Sequence, residues 1–136
     1  MVKLIMGLKG SGKTKKLIEL LNAAIESENG DIIFIEKDKK LTYDIPYTVR
    51  LIHGSDYGIS TNQLFKGFVS GIHAGNYDIT HMFIDNFLRM LDDTSNEAVS
   101  EMLAWLDEFG EKENIKFTIR ARAHAAGVPA SITKYY

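Results

Sequence analysis

The chain contains no cysteine, which excludes disulfides, iron–sulfur clusters and any zinc site built on thiolates. Only 2 of its 136 residues are proline and no low-complexity tract is present, so neither a stiff linker nor a long disordered region is expected. No apolar run approaches the roughly 18 residues needed to cross a bilayer. The opening Met1-Val2-Lys3-Leu4-Ile5-Met6 reaches Gly7 too soon to be a secretory signal peptide. Positive charge is also short. Lysine and arginine total 16 against 18 aspartates and glutamates, a net charge of -2, so no broad basic field invites nucleic acid. These absences predict a soluble, cytoplasmic protein with no membrane partner and no indicated nucleic-acid partner.

What is present has the balance of an ordinary globular domain, 45% hydrophobic and 25% charged residues. The length suits one core, and residues 1–136 are expected to form a single domain. Val2 to Met6 is a short apolar run ending in glycines, as a buried strand does. Leu17, Leu21 and Ala24 then recur at helical spacing, with Asn29-Gly30 as a stop. Ile32 to Ile35 is a second apolar run, ending at Glu36. Tyr47 to Ile52 is expected to be a strand opened by Pro46, its direction left open, and Gly54 to Gly58 a loop. Leu64, Phe65, Phe68 and Ile72 mark a helix, and Gly67, Gly71 and Gly75 on another face suggest close packing of that helix on a sheet. His81 to Ile84 reads as a buried strand ending in Asp85. Thr94 and Glu97 resemble a capping box before the stripe Val99, Met102, Leu103, Leu106 and Phe109. Ile115 to Ile119 is the last strand. Strands alternating with helices predict a three-layer α/β/α fold around a mostly parallel sheet of about five strands.

One segment carries chemistry. Gly7-Leu8-Lys9-Gly10-Ser11-Gly12-Lys13-Thr14 fits G-x-x-x-x-G-K-[ST] at every fixed position, between an apolar strand and an amphipathic helix. Glycines let consecutive backbone N–H groups curl around an anion, and the helix N-terminus points its unpaired N–H groups at the same charge. Lys13 would reach the β and γ phosphates, and the Thr14 hydroxyl would ligate Mg²⁺. Asp85, at the end of Met82-Phe83-Ile84, has the pattern of a carboxylate that holds the same Mg²⁺, directly or through water.

On these residues the chain resembles the P-loop NTPase superfamily. The resemblance implies a P-loop NTPase fold, ATP·Mg²⁺ binding through Gly7 to Thr14, and a metal contact from Asp85. The opening, Ile35-Glu36-Lys37 and Gly75-Asn76-Tyr77-Asp78-Ile79-Thr80 are similar to short bacterial ATP-binding proteins, some labelled with twitching motility. The acidic and histidine-rich motifs of pilus-retraction ATPases are missing, so that label is not carried over. Ile84-Asp85-Asn86-Phe87 also resembles the strand end of type II thymidine kinases. Asn86 stands where those enzymes have glutamate, and their cysteine zinc site has no counterpart here. In RecA-like ATPases, which the chain resembles distantly, a catalytic glutamate can end a neighbouring strand. Glu36 is the residue placed to do so, with a solvated carboxylate paired to Lys37 or Lys39 as the alternative.

The expected activity is slow ATP hydrolysis coupled to an unknown protein partner, with Lys13 and Glu36 as catalytic groups. A small nucleoside or nucleotide kinase, with its acceptor near Leu41 to Tyr57, and a non-catalytic nucleotide sensor are the competing readings. No N-K-x-D motif is present, so ATP is favoured over GTP. Arg50, Arg89, Arg120 and Arg122 read as surface or ion-pairing residues rather than arginine fingers. His53, His73, His81 and His124 lack metal-ligand spacing and read as structural, and Trp105 as packing.

Overall fold

A computed structural model describes residues 1–7, 13–39, 44–122 and 127–136, with the backbone alone for 13 and 14. Five strands, β1 (Val2–Gly7), β2 (Asp31–Glu36), β3 (Arg50–His53), β4 (Ile79–Ile84) and β5 (Lys116–Arg122), form one sheet in the order β1-β5-β4-β2-β3. Every pairing is parallel. The helices are α1 (Lys13–Ser27), α2 (Asn62–Gly75), α3 (Asn96–Glu113) and the short α4 (Ala130–Thr133), with 3-10 turns at Gly54–Tyr57 and Phe87–Met90. The expected α/β class and five strands are present, and the sheet is parallel throughout.

Strand alternation sorts the core into two layers, because successive side chains leave a strand on opposite faces. Ile32, Phe34 and Phe83 meet Leu17, Leu21 and Ala24 of α1 on one face. Ile33, Ile35, Met82, Ile84, Phe117 and Ile119 meet α2 and α3 on the other. Strands covered on both faces read as continuous apolar runs, which is why β2 and β4 are conspicuous in the sequence. The faces follow from handedness. Crossovers between parallel strands are right-handed, so the connection running one way along the sheet (β1 to β2) lies on one side, and those returning (β3 to β4, β4 to β5) lie on the other. The outer edge of β1 is covered where Leu4 N–H donates to the carbonyl of Tyr135, 2.7 Å away. Among the described residues no helix is long and apolar enough to cross a membrane.

Several local expectations need correction. The Tyr47–Ile52 strand begins only at Arg50, and Tyr47 is 98% exposed in a turn, so the apolar character of Tyr47 marks no core position. Residues 54–57 are a 3-10 turn rather than irregular loop. Thr94 does not cap α3. Ser95 does, its hydroxyl accepting from Ala98 N–H at 3.2 Å while its own N–H donates to Asp93. Gly67, Gly71 and Gly75 do not bring α2 close to the sheet, because a Cβ at any of them would meet nothing within 4 Å. They lie exposed, whereas Phe65, Val69 and His73 bury the opposite face. Gly30 is the glycine a close approach requires. A Cβ there would collide with the Thr80 side chain and sit 2.7 Å from the carbonyl of Asp78.

His81 ties the amino edge of the sheet to the end of α1. Its Nδ1 lies 2.7 Å from a Glu28 oxygen, and its Nε2 lies 2.8 Å from the Thr118 hydroxyl. A neutral ring satisfies both, donating through Nδ1 and accepting at Nε2. Burial lowers its pKa, outweighing the pull of Glu28, with the Lys116 charge adding to the lowering.

Two predictions follow from these features. Gly71→Ala fills open space in a helix, and should raise unfolding free energy by about 1 kcal/mol in urea denaturation. For His81, the unfolded chain binds its proton more readily than the folded one. Its contribution is therefore complete above about pH 6.5 and is lost as pH falls from there through the lower folded pKa. Stability measured from pH 7.5 to 5 should fall more steeply for the parent than for His81→Gln.

Candidate functional site

Parallel strands deliver all their carboxyl ends to one edge, and open α/β sheets bind ligands there, where successive connections leave for opposite faces. Two such points exist here. The segment after β2 returns Ile45 and Val49 to the α1 face, whereas the chain after adjacent β4 passes to α3 on the other face. Likewise the chain after β1 enters α1, and the chain after adjacent β5 leads to Ile132 and Tyr135 in the α3 layer.

Register aligns residues at or near the carboxyl ends of four strands into one row. Glu36 pairs with His53, Ile35 with Ile84, Ile84 with Ile119, and Arg120 with Ile5. The row therefore runs His53, Glu36, Asp85, Arg120, with neighbouring strands about 4.8 Å apart. All four share the α1 face, since Leu51, Phe34 and Phe83 two residues earlier belong to that layer. The helix α1 starts at the same edge, because its first residue, Lys13, follows soon after the end of β1.

Asp85 leaves β4 directly and is 3% exposed. Its N–H donates to the carbonyl of Ile35 at 2.8 Å, which ties the ends of β4 and β2 together. Its Oδ1 accepts from the backbone N–H of Asn86 at 2.8 Å and from Arg120 Nε. Arg120 also donates through Nη2 to Asn86 Oδ1 at 3.1 Å. Asn86 adopts φ 53°, a left-handed conformation that asparagine tolerates, and starts the 3-10 turn at Phe87. Glu36 is 2% exposed, so the solvated-surface alternative for it is wrong. His53 Nδ1 lies 3.7 Å from Glu36 Oε1. Two further contacts hold the loops above the row: Arg89 pairs with Asp38 at 3.7 Å, and Lys39 with Asp56 at 3.5 Å.

The sequence-predicted residues are placed as follows. Gly7 ends β1 and pairs with Arg122, and Lys13 and Thr14 open α1. Leu8, Lys9, Gly10, Ser11 and Gly12 lie outside the described residues, as do the side chains of Lys13 and Thr14, most of the segment Leu41 to Ile45, and His124. Glu36 and Asp85 are brought side by side. Arg120 is ion-paired, as expected, but to the candidate metal carboxylate. His73 and His81 are structural, paired with Glu113 and Glu28. Trp105 packs on Phe109, with Lys66 Nζ 5.8 Å from its ring centre.

Sequence reasoning missed His53 as a member of this edge. The available signal was its place at the end of a strand, hidden by misplacing the strand's start. Among the described residues no group of three or more His, Asp or Glu could hold a metal by itself. Asp85 is a carboxylate, the ligand type a hard cation such as Mg²⁺ takes beside phosphate oxygens and water, and its Oδ1 is engaged by Arg120 and the Asn86 N–H. Compared with known proteins, the chain matches no family model, and no curated protein matches it.

The pair Arg120–Asp85 is buried, with side-chain exposures of 16% and 4%. Removing one partner of such a pair strands a buried charge. Arg120→Met is expected to lower unfolding free energy by about 3 kcal/mol. Arg89→Met, which breaks a largely exposed pair, should cost less than about 1 kcal/mol. Equilibrium urea unfolding of the two variants against the parent checks the contrast.

Proposed function

We propose that the chain is a P-loop nucleoside triphosphatase that binds ATP·Mg²⁺ and hydrolyses it slowly, in step with a protein partner. One observation carries the reading: two buried carboxylates, Glu36 and Asp85, stand side by side at the edge and on the face where Gly7 to Thr14 passes from β1 into α1. A glycine-rich connection between a strand's carboxyl end and a helix N-terminus is suited to a phosphate chain, and carboxylates beside it are suited to a metal and a water.

In this reading the backbone N–H groups of 8–14 cradle the phosphates, and Lys13 neutralises the β and γ oxygens. Thr14 and Asp85 would hold Mg²⁺, which would supply positive charge at the phosphate oxygens. Glu36 accepts a proton from water as its oxygen bonds to the γ phosphorus. The bond from that phosphorus to the bridging oxygen breaks, its electron pair stays on the β-phosphate, and ADP and phosphate leave. The proton then passes from Glu36 to phosphate or solvent. Asn86 is not a base, and its side chain is engaged by Arg120. The absence of a guanine-reading motif supports ATP over GTP.

The same Asn86 favours a second reading, a nucleotide sensor that binds without turnover, because Arg120 already balances Asp85 and no carboxylate follows it. Incubation with ATP·Mg²⁺, with and without a nucleoside panel, separates the readings. ADP without an acceptor supports the hydrolase, product only with a nucleoside a kinase, and binding alone the sensor. Lys13→Ala is expected to abolish measurable ATP binding in a folded chain. Glu36→Gln should retain affinity but lose turnover by roughly a hundredfold. Unchanged affinity in Lys13→Ala would remove the phosphate loop from the assignment.

A further inference from the structure

We propose that Asn29 is a site of spontaneous deamidation, where the folded chain converts its own asparagine amide into a mixture of aspartate and isoaspartate. The site stands apart from the nucleotide reading and lies at the opposite end of α1.

Asparagine is among the thermolabile side chains, and the Asn29-Gly30 step is the one place where this sequence follows it with glycine. The reaction needs only water. The Gly30 nitrogen bonds to Asn29 Cγ and gives its proton to solvent. The Cγ–Nδ2 bond breaks, its electron pair stays on nitrogen, and ammonia leaves after taking a proton from solvent. Water then opens the resulting ring at either carbonyl. Attack at Cγ yields aspartate, and attack at the Asn29 main-chain carbonyl yields isoaspartate, in which the chain runs through Cβ and Cγ.

Three restraints on such a reaction are missing here. Gly30 has no Cβ to shield the attacking nitrogen. Among the described residues nothing accepts from the Gly30 N–H, and the Asn29 side chain makes no hydrogen bond. Asn29 is exposed beyond the end of α1 and borders an open cleft of about 370 Å³ with Thr80 and Asn114, so water reaches its amide. The other asparagines differ. Asn62 and Asn76 are held through Nδ2 by the Asp93 carbonyl and the Asp31 carboxylate, and Asn86 is held by Arg120. After Asn114, the Ile115 N–H is occupied by the carbonyl of Gly110.

The chain is pinned on both sides of the step. Glu28 accepts from the Thr80 hydroxyl at 3.0 Å and lies 2.7 Å from His81 Nδ1. Asp31 N–H donates to the carbonyl of Asp78 at 2.9 Å, and the Asp31 carboxylate accepts from Asn76 at 2.9 Å. Gly30, between them, has no space on its Thr80 side. Isoaspartate adds one main-chain carbon, roughly 1.5 Å of path, so one of these anchors has to give way. It also places a negative charge between Glu28 and Asp31 in the chain. The carboxyl end of a helix favours cations, and the last turn of α1 carries none. Deamidation therefore loosens the joint between α1 and β2.

The test ages the purified full chain in mildly alkaline buffer, with and without urea. Each asparagine peptide is then read by mass spectrometry, and isoaspartate by enzymatic methyl transfer to its carboxylate. In the folded chain the Asn29 peptide should be the first to lose its amide, as two separable isomers. Asn29→Gln, which disturbs no hydrogen bond, should fold like the parent and lose the isoaspartate signal. The isoaspartate fraction should unfold at a lower urea midpoint than both the parent and Asn29→Asp, which adds the charge alone. Conversion of Asn29 only in urea, or another asparagine converting first in the folded chain, overturns the site. An isoaspartate fraction that unfolds together with Asn29→Asp overturns the loosening of the joint.

Discussion

All five strands run in the same direction, and the rest of the structure depends on that constraint. A parallel sheet cannot be built from hairpins, so each return of the chain must cross back over a face. The crossings bury both faces and force β2 and β4 to be apolar along nearly their whole length. Polar residues in these strands are thereby driven to the two edges. At the amino edge His81 binds both Thr118 and Glu28. At the carboxyl edge stand His53, Glu36, Asp85 and Arg120.

The order of charges along that row has an electrostatic logic. Two carboxylates on neighbouring strands repel in a site shielded from water, where a unit charge interacts far more strongly than in solvent. Each has a basic group on its outer side, Arg120 beside Asp85 and His53 beside Glu36. The two flanks are not equivalent. Arginine is always charged and clamps its partner through a planar fork, whereas His53 Nδ1 stands 3.7 Å from Glu36 Oε1. The carboxylate proposed for the metal is thus held by a fork-shaped cation.

Much of this was legible in the sequence, for a physical reason. Strands buried on both faces announce themselves as unbroken apolar runs, and Glu36 and Asp85 are conspicuous because each is the first charge after such a run. The stripe of α3 was equally plain, since helical spacing is a local property. What could not be read is what depends on neighbours distant in sequence. Nothing local says that β2 lies against β4, so the adjacency of Glu36 and Asp85 was a conjecture, and the partnership of Arg120 with Asp85 had no signal. The α2 glycines were misread because their spacing marks one face of a helix without saying which way it points. Thr94 and Ser95 offer the same hydroxyl chemistry one residue apart, and Asp93 decides between them by fixing the Ser95 backbone.

The strand order also bears on how the chain is made. β1 precedes the other four strands in the sequence, yet among the described residues its partner strand is β5, which also joins it to β4. Until residues 116–122 have left the ribosome, the strand that leads into the glycine-rich segment has no ladder to join. β2, β3 and β4 can associate earlier, without either end of the chain. Any nascent chain lacking its final strand is therefore a three-stranded fragment with apolar faces uncovered, the kind of species that chaperones retain. The strand that leads into the glycine-rich segment thus joins the sheet only once residues 116–122 are in place.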